Sequence, residues 1–212
     1  MITSLNQLDP NKKYTYTDYL TWQFKERVEL IMGKIFQMSP APTTRHQQIS
    51  WRLSKAIAKL KVLDRCEVFT APFDVRIRTK GKDYLEVESV VQPDISIICN
   101  KAKLDEKGCD GIPDLIIEIL SPSSSSRDLK EKYLLYEQAH LPEYWIVNPV
   151  DGVISVFCLN DDGVFETTKP YVREETIKSI TLPGLEIVIE EIFPGSEVSE
   201  QEIEYEKSIR RF

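Results

Sequence analysis

Asp114-Leu115-Ile116-Ile117-Glu118-Ile119-Leu120 is apolar at every position except its first and fifth. A run without polar alternation reads as a strand buried on both faces of a sheet. An unpaired carboxylate is costly there, so Glu118 needs a partner, a proton or a metal. Upstream, Gln92-Pro93-Asp94-Ile95-Ser96-Ile97-Ile98 sets a second acid at the mouth of another apolar strand. An antiparallel register in which paired positions sum to 212 places Asp94 opposite Glu118. The β-carbons would then stand about 4.5–5.5 Å apart, close enough to chelate one cation. A slip of one residue destroys this arrangement. Asp114 shares the face of Glu118 but lies about 13 Å along the strand. That is too far for an ion that holds its oxygens at about 2.0–2.1 Å. The alternative to a metal pair is an edge aspartate and a glutamate salt-bridged to a neighbouring base.

Outward from these strands, the pattern is mixed. Residues 17–27 read as a short helix capped by Thr17 or Asp18. Glu29 to Met38 reads as a hairpin turning at Met32-Gly33. In 45–62, Ile49, Leu53, Ile57 and Leu60 recur at helical spacing, and Arg52, Lys55 and Lys59 form a basic stripe on another face. Strands are expected over 67–78, 85–99, 114–120, 144–147 and 153–159. A second helix is expected at 127–140, with Ser125 and Asp128 at capping-box spacing. A terminal hairpin over 165–181 and an acidic helix from Ser199 complete the reading. Strands and helices sharing one core define an α/β sheet of mixed direction.

The chain has 212 residues, 42% hydrophobic and 29% charged, which suits one globular domain. No apolar run reaches the roughly 18 residues of a membrane span. Met1 to Lys13 lacks the layout of a secretory signal, so a cytoplasmic location is expected. The four cysteines are scattered, with no CxxC pair, and read as structural thiols in a reducing compartment. Net charge is −7, which argues against strong nonspecific DNA binding, yet the charge is segregated. Between Thr43 and Lys82 ten bases face three acids, a net of +7, whereas Pro183 to Glu206 holds eight acids and no base. A basic region on an acidic protein is compatible with a nucleic-acid partner, although charge runs are commonly plain solvated surface.

Further motifs carry a family resemblance. Gln92-Pro93-Asp94, Glu118-Ile119-Leu120-Ser121-Pro122-Ser123, Asp128…Lys132…Tyr136 and Pro142-Glu143-Tyr144-Trp145-Ile146-Val147 occur in this order. With Val28 to Ile35, Met38-Ser39-Pro40 and His46, they resemble the Uma-two family of endonucleases, within the restriction-endonuclease-like PD-(D/E)XK superfamily. The resemblance spans about residues 14–190, leaving an N-terminal segment of residues 1–13 and an acidic tail of residues 191–212. It implies a restriction-endonuclease-like mixed central sheet of four or five strands flanked by helices.

By the same resemblance Asp94 and Glu118 are the catalytic, metal-binding acids, joined by the Ile119 carbonyl and, in an extended site, by Glu29. The superfamily lysine should stand two residues after the glutamate, where this chain has Leu120. The resemblance implies that Lys132, on the following helix, takes its place. Without it, Asp128 and Lys132 would read as a surface ion pair. His46 is open to capping, phosphate contact or catalysis. His140 reads as a helix C-terminal residue, and Tyr144 and Trp145 as core aromatics.

The expected activity is magnesium-dependent hydrolysis of phosphodiester bonds, with manganese as a substitute ion. Arg52, Lys55 and Lys59 are the candidates to bind flanking phosphates of the nucleic acid, taken to be DNA. Many superfamily members work as homodimers, though the sequence marks no dimer surface. One rival is a catalytically silent relative acting as a binding module. The other is a carboxylate-based glycosidase, which would need a wide aromatic cleft and no metal.

Overall fold

A computed structural model describes residues 2–38, 41–59, 65–78, 86–121 and 127–193. In chain order the strands are β1 (Val28–Ile31), β2 (Lys34–Gln37), β3 (Glu67–Thr70), β4 (Val75–Arg76), β5 (Val90–Val91), β6 (Ile95–Ile98) and β7 (Leu104–Asp105). They continue with β8 (Gly108–Asp110), β9 (Leu115–Ile119), β10 (Glu143–Asn148), β11 (Val153–Leu159), β12 (Phe165–Thr167), β13 (Thr176–Lys178) and β14 (Glu186–Val188). The α-helices are α1 (Tyr16–Tyr19), α2 (Thr44–Ala58) and α3 (Tyr133–Gln138), the last continuing from a π-helical turn, Arg127–Lys132.

The central sheet has the order β12-β11-β10-β9-β6-β3. Only β9 and β10 run parallel within it, joined by the crossover that contains α3; the other pairs are antiparallel. The sheet is thus mixed, as expected, but has six strands where four or five were expected. A second six-stranded sheet, β2-β1-β5-β4-β8-β7, was not anticipated, because several of its strands are two or three residues long.

β9 lies between β10 and β6, which explains its unbroken apolar run. Leu115, Ile117 and Ile119 face one core with Ile49, Leu53 and Ile57 of α2. Ile116 faces a second core with Tyr136 and Leu135 of α3 and with Ile31, Val75 and Val91 of the second sheet. Tyr144 and Trp145 are fully buried, as their place in the sequence suggested.

Proline breaks two segments that read as single strands. Residues 67–78 divide at Ala71-Pro72 into β3 and β4, and 85–99 divide at Gln92-Pro93 into β5 and β6, each half going to a different sheet. Proline has no N–H for a ladder, so pairing ends there and the chain can change sheets. Asp94 stands at that corner.

Other expectations are corrected. The helix expected over 17–27 is α1 alone, entered through Thr15, whose N–H is accepted by Asp18 at 3.0 Å. Helix α2 starts one residue earlier than expected, with the Thr43 hydroxyl accepting from the His46 N–H at 3.2 Å, and it ends at Ala58. Leu60, Ser125 and the acidic segment from Ser199 lie outside the described residues. The 165–181 hairpin does not form: β12 extends the central sheet, and β13 pairs with β14. The β1–β2 turn is confirmed, with Met32 at φ 50° and Gly33 at φ 81°, the left-handed pair that a two-residue hairpin requires. His140 also has positive φ, 57°, just past the Ala139 C-cap of α3.

The cysteine reading is also corrected. Cys66 and Cys99 form a disulfide, leaving Cys109 and Cys158 as free thiols. The β3–β6 register pairs Glu67 with Ile98, so the two cysteines sit opposite one another just past the ladder. Their 33-residue separation hides that from a spacing argument. The expectation of a reducing compartment loses its basis.

Candidate active site

Strands β6 and β9 pair Ile95 with Ile117, Ser96 with Ile116 and Ile97 with Leu115. This is the expected register, and Asp94 lies one residue past its end. Asp94 Oδ2 accepts the Ile119 N–H at 2.7 Å and stands 3.2 Å from His46 Nε2. The first turn of α2 thereby closes over the strand end. In a strand a residue's N–H and C=O face the same neighbour, so the Ile119 carbonyl faces the Asp94 side. Continued by two residues, the register places Pro93 opposite it, and proline has no N–H to offer. Asp114 is at the other end of β9, where its Oδ2 accepts the Cys99 N–H at 2.8 Å.

Glu118 shares its face of β9 with Ile116 and is almost fully buried, 3% exposed. Lys132 Nζ donates to Glu118 Oε1 at 2.8 Å, and Tyr136 Oη donates to the same oxygen at 2.9 Å. Lys132 ends the π-helical turn and Tyr136 is one α-turn later, so both reach inward together. Lys132 Nζ also lies 2.9 Å from Glu29 Oε1, and Glu29 is fully buried on β1. The second sheet thus supplies one acid and the central sheet the other, with the lysine between them. Asp128 lies in the same turn, and nothing is described of its side chain. Leu120 is half-buried against the second core.

Glu29 has no idle oxygen. Besides Lys132, Oε1 accepts the Gln92 N–H at 2.9 Å, and Oε2 lies 3.2 Å from Arg127 Nη1. Arg127 also donates to the Gln37 carbonyl at 2.7 Å and lies over the Phe36 ring. Arg127 and Gln92 are site neighbours to which the sequence reading gave no role. A positive residue five positions before Lys132 is the signal that would have marked Arg127, had the wider π turn been foreseen.

Gln92 extends the network by donating to Asp74 Oδ1 at 2.7 Å. Burial raises the pKa of Asp74, against lowering by hydrogen bonds from Gln92 and Tyr19 and by Arg76 and Arg27. Burial, then the Asp74 charge, pushes the Tyr19 phenol well up.

The basic stripe is not brought to the acids. Helix α2 packs its Ile49 side on one face of the central sheet, whereas Glu118 is on the other. Lys55 and Lys59 are exposed, and Arg52 donates to the Glu191 and Phe193 carbonyls at 3.4 Å each.

Among the described residues, no three His, Cys, Asp or Glu side chains form a metal-ligand cluster. The oxygens that could hold an ion are the Asp94 and Glu118 carboxylates and the Ile119 main-chain carbonyl. Charge points the same way. Glu29, Asp94 and Glu118, when ionised, outnumber Lys132 and Arg127 by one negative charge. An all-oxygen set of this kind suits magnesium or manganese.

The mixed central sheet and its flanking helices are of the restriction-endonuclease-like fold class. A crystal structure from Anabaena variabilis, described as "a putative nuclease belonging to DUF820", superposes with a TM-score of 0.65 at 21% identity, covering 85% of this chain and 97% of that one. The family model described as "Putative restriction endonuclease", Uma2, matches residues 16–190, and the chain belongs to that family. The uncharacterized protein slr1290 of Synechocystis is 28% identical over 194 residues, covering 88% of this chain and 94% of the relative. A second uncharacterized Synechocystis protein, sll1609, is 28% identical over 130 residues, 59% of this chain and 68% of its own. Among the described residues no helix is long and apolar enough to cross a membrane.

Proposed function

We propose that the chain is a metal-dependent endonuclease that hydrolyses phosphodiester bonds in DNA. The observation that carries this reading is Lys132 Nζ at 2.8 Å from Glu118, beside an Asp94 held on the next residue's N–H. Asp94, Glu118 and the Ile119 carbonyl would hold a magnesium or manganese ion, which supplies charge neutralisation and a water of lowered pKa. Glu29 fits the site as counter-charge to Lys132 and Arg127, since both its oxygens are already engaged.

Lys132 is a hydrogen-bond donor only, and its ammonium lies between Glu118 and Glu29. There it would orient the attacking water and stabilise the charge gained by the phosphoryl oxygens. Arg127, less deeply buried, would hold a non-bridging oxygen of the same phosphate. A divalent ion would turn the site's single negative excess into a single positive one, complementary to the phosphodiester monoanion. His46 would keep Asp94 oriented from outside the chelate.

Calorimetric titration of manganese and magnesium, with plasmid cleavage in each ion and in EDTA, tests the reading. Binding and cleavage in wild type, and neither in Glu118→Gln, are the expected results. Cleavage that survives both Asp94→Ala and Glu118→Ala would remove this site from the reaction.

Leu120, where the superfamily has lysine, supports a second reading, a silent nuclease fold that binds nucleic acid without cutting it. Metal binding without cleavage under any of these conditions would select it.

A further inference from the structure

Trp51 is 69% exposed on the outer face of α2, whereas Trp145 is fully buried and Trp22 half-buried. Trp51, Lys55 and Lys59 succeed one another at four-residue spacing, so they share one side of the helix at steps of about 6 Å. With Arg52, Ala56 and Glu191 they line an open cavity of ≈ 310 Å³. Three cations against one acid give this pocket a positive balance on a chain whose net charge is −7. An indole face flanked by flexible ammonium groups suits a ligand with both a planar ring and negative charge.

We propose that this pocket is a docking site for single-stranded nucleic acid, with one unpaired base stacked on Trp51 and backbone phosphates held by Lys55 and Lys59. The choice of nucleic acid over another anionic partner rests on the nuclease reading; the choice of a single strand rests on the pocket. A duplex keeps its base faces stacked on one another and offers only edges and phosphates, which would leave the indole without a partner. A single strand presents the base face that an aromatic platform needs. Arg52 is tied to the Glu191 and Phe193 carbonyls, so it shapes the floor while the two lysines remain available.

The pocket is separate from the acids. Ile49, Leu53 and Ile57, on the opposite side of α2, pack on the sheet face that Glu118 does not share. A strand held here is therefore flanking sequence, anchored away from the phosphate to be cut. The site would favour substrates that carry an unpaired segment next to their cleavage point.

Tryptophan emission of the full-length protein, titrated in EDTA with a labelled oligothymidylate, tests the proposal. The anisotropy of the label is read in parallel. The oligonucleotide should quench the emission, and Trp51→Ala should abolish that quenching and weaken binding roughly 5- to 150-fold. Lys55→Ala and Lys59→Ala should each flatten the dependence of binding on salt by roughly 0.7 of a logarithmic unit per unit. Thermal unfolding of Trp51→Ala should match wild type, because the side chain lies mostly in solvent. Quenching and affinity unchanged in Trp51→Ala would overturn the proposal. So would an equal affinity for the same sequence as a blunt duplex, and so would the absence of any oligonucleotide binding, which would leave the face to a protein partner. EDTA prevents metal-dependent cutting, so a nuclease reading that fails leaves this result standing.

Discussion

Lys132 Nζ stands 2.8 Å from Glu118 Oε1 and 2.9 Å from Glu29 Oε1, a single buried ammonium shared by two acids from two different sheets. All three side chains are at most 4% exposed. The lysine therefore joins the sheets electrostatically.

Removing that charge leaves two buried carboxylates facing one another. Lys132→Met should destabilise the protein by about 3–5 kcal/mol, because a buried ion group that loses one partner keeps the desolvation cost of the rest. Adding Glu29→Gln should recover part of that loss. Urea unfolding of the single and double variants measures both, and a Lys132→Met variant as stable as wild type would show that the shared pair does not form.

His46 touches Asp94 without being one of the proposed chelating groups. His46→Ala should lower manganese affinity or cleavage rate by roughly 10–100-fold, the usual consequence of losing an outer partner of a metal ligand. Thr43 still caps α2 in this variant, so its far-ultraviolet circular dichroism should match wild type. Calorimetry compares the affinities, and unaltered values would make the 3.2 Å contact incidental.

The thiols can be counted chemically. Burial pushes Cys109 up to about 11, and burial together with the Glu143 charge pushes Cys158 up to about 12. Neither should alkylate in the native protein in mildly alkaline buffer, since the thiolate is the reactive form. Unfolding without reductant should expose two reactive thiols, and unfolding with reductant all four. Mass spectrometry after alkylation reads the count, and four labels without reductant would remove the Cys66–Cys99 bond.

Asp74 gives a stability effect with a definite sign. Burial raises its pKa in the folded state, so its contribution is fully present below the unfolded value of 3.8 and is lost as pH rises through the folded value. Asp74→Asn has no such loss. The stability of the variant relative to wild type should therefore improve as pH climbs from acidic to neutral. Urea unfolding at both pH values tests this, and a difference that stays flat or moves the other way would contradict it.

Much was legible because it depends on local pattern. The unbroken apolar run around Glu118 marked a central strand, since only a strand covered on both faces tolerates it. Met32-Gly33 marked its own turn, and Ile49, Leu53 and Ile57 marked the inward face of α2. The register linking Asp94 to Glu118 could be written down because side chains alternate strictly along a strand. The family resemblance added the role expected of Lys132, which spacing alone would have left as a surface pair.

Other features were decided by contacts between residues far apart in the chain. The acid partner of Lys132 on β1, the ties of Arg127 and Gln92 to that acid, and the Cys66–Cys99 bond join residues that no local spacing brings together. The two prolines show the division of labour. The sequence reading ran one strand through each of them, and the passage from one sheet to the other depended on which strands were present to pair. Periodicity records which way a side chain faces; what it meets there depends on long-range pairing and burial.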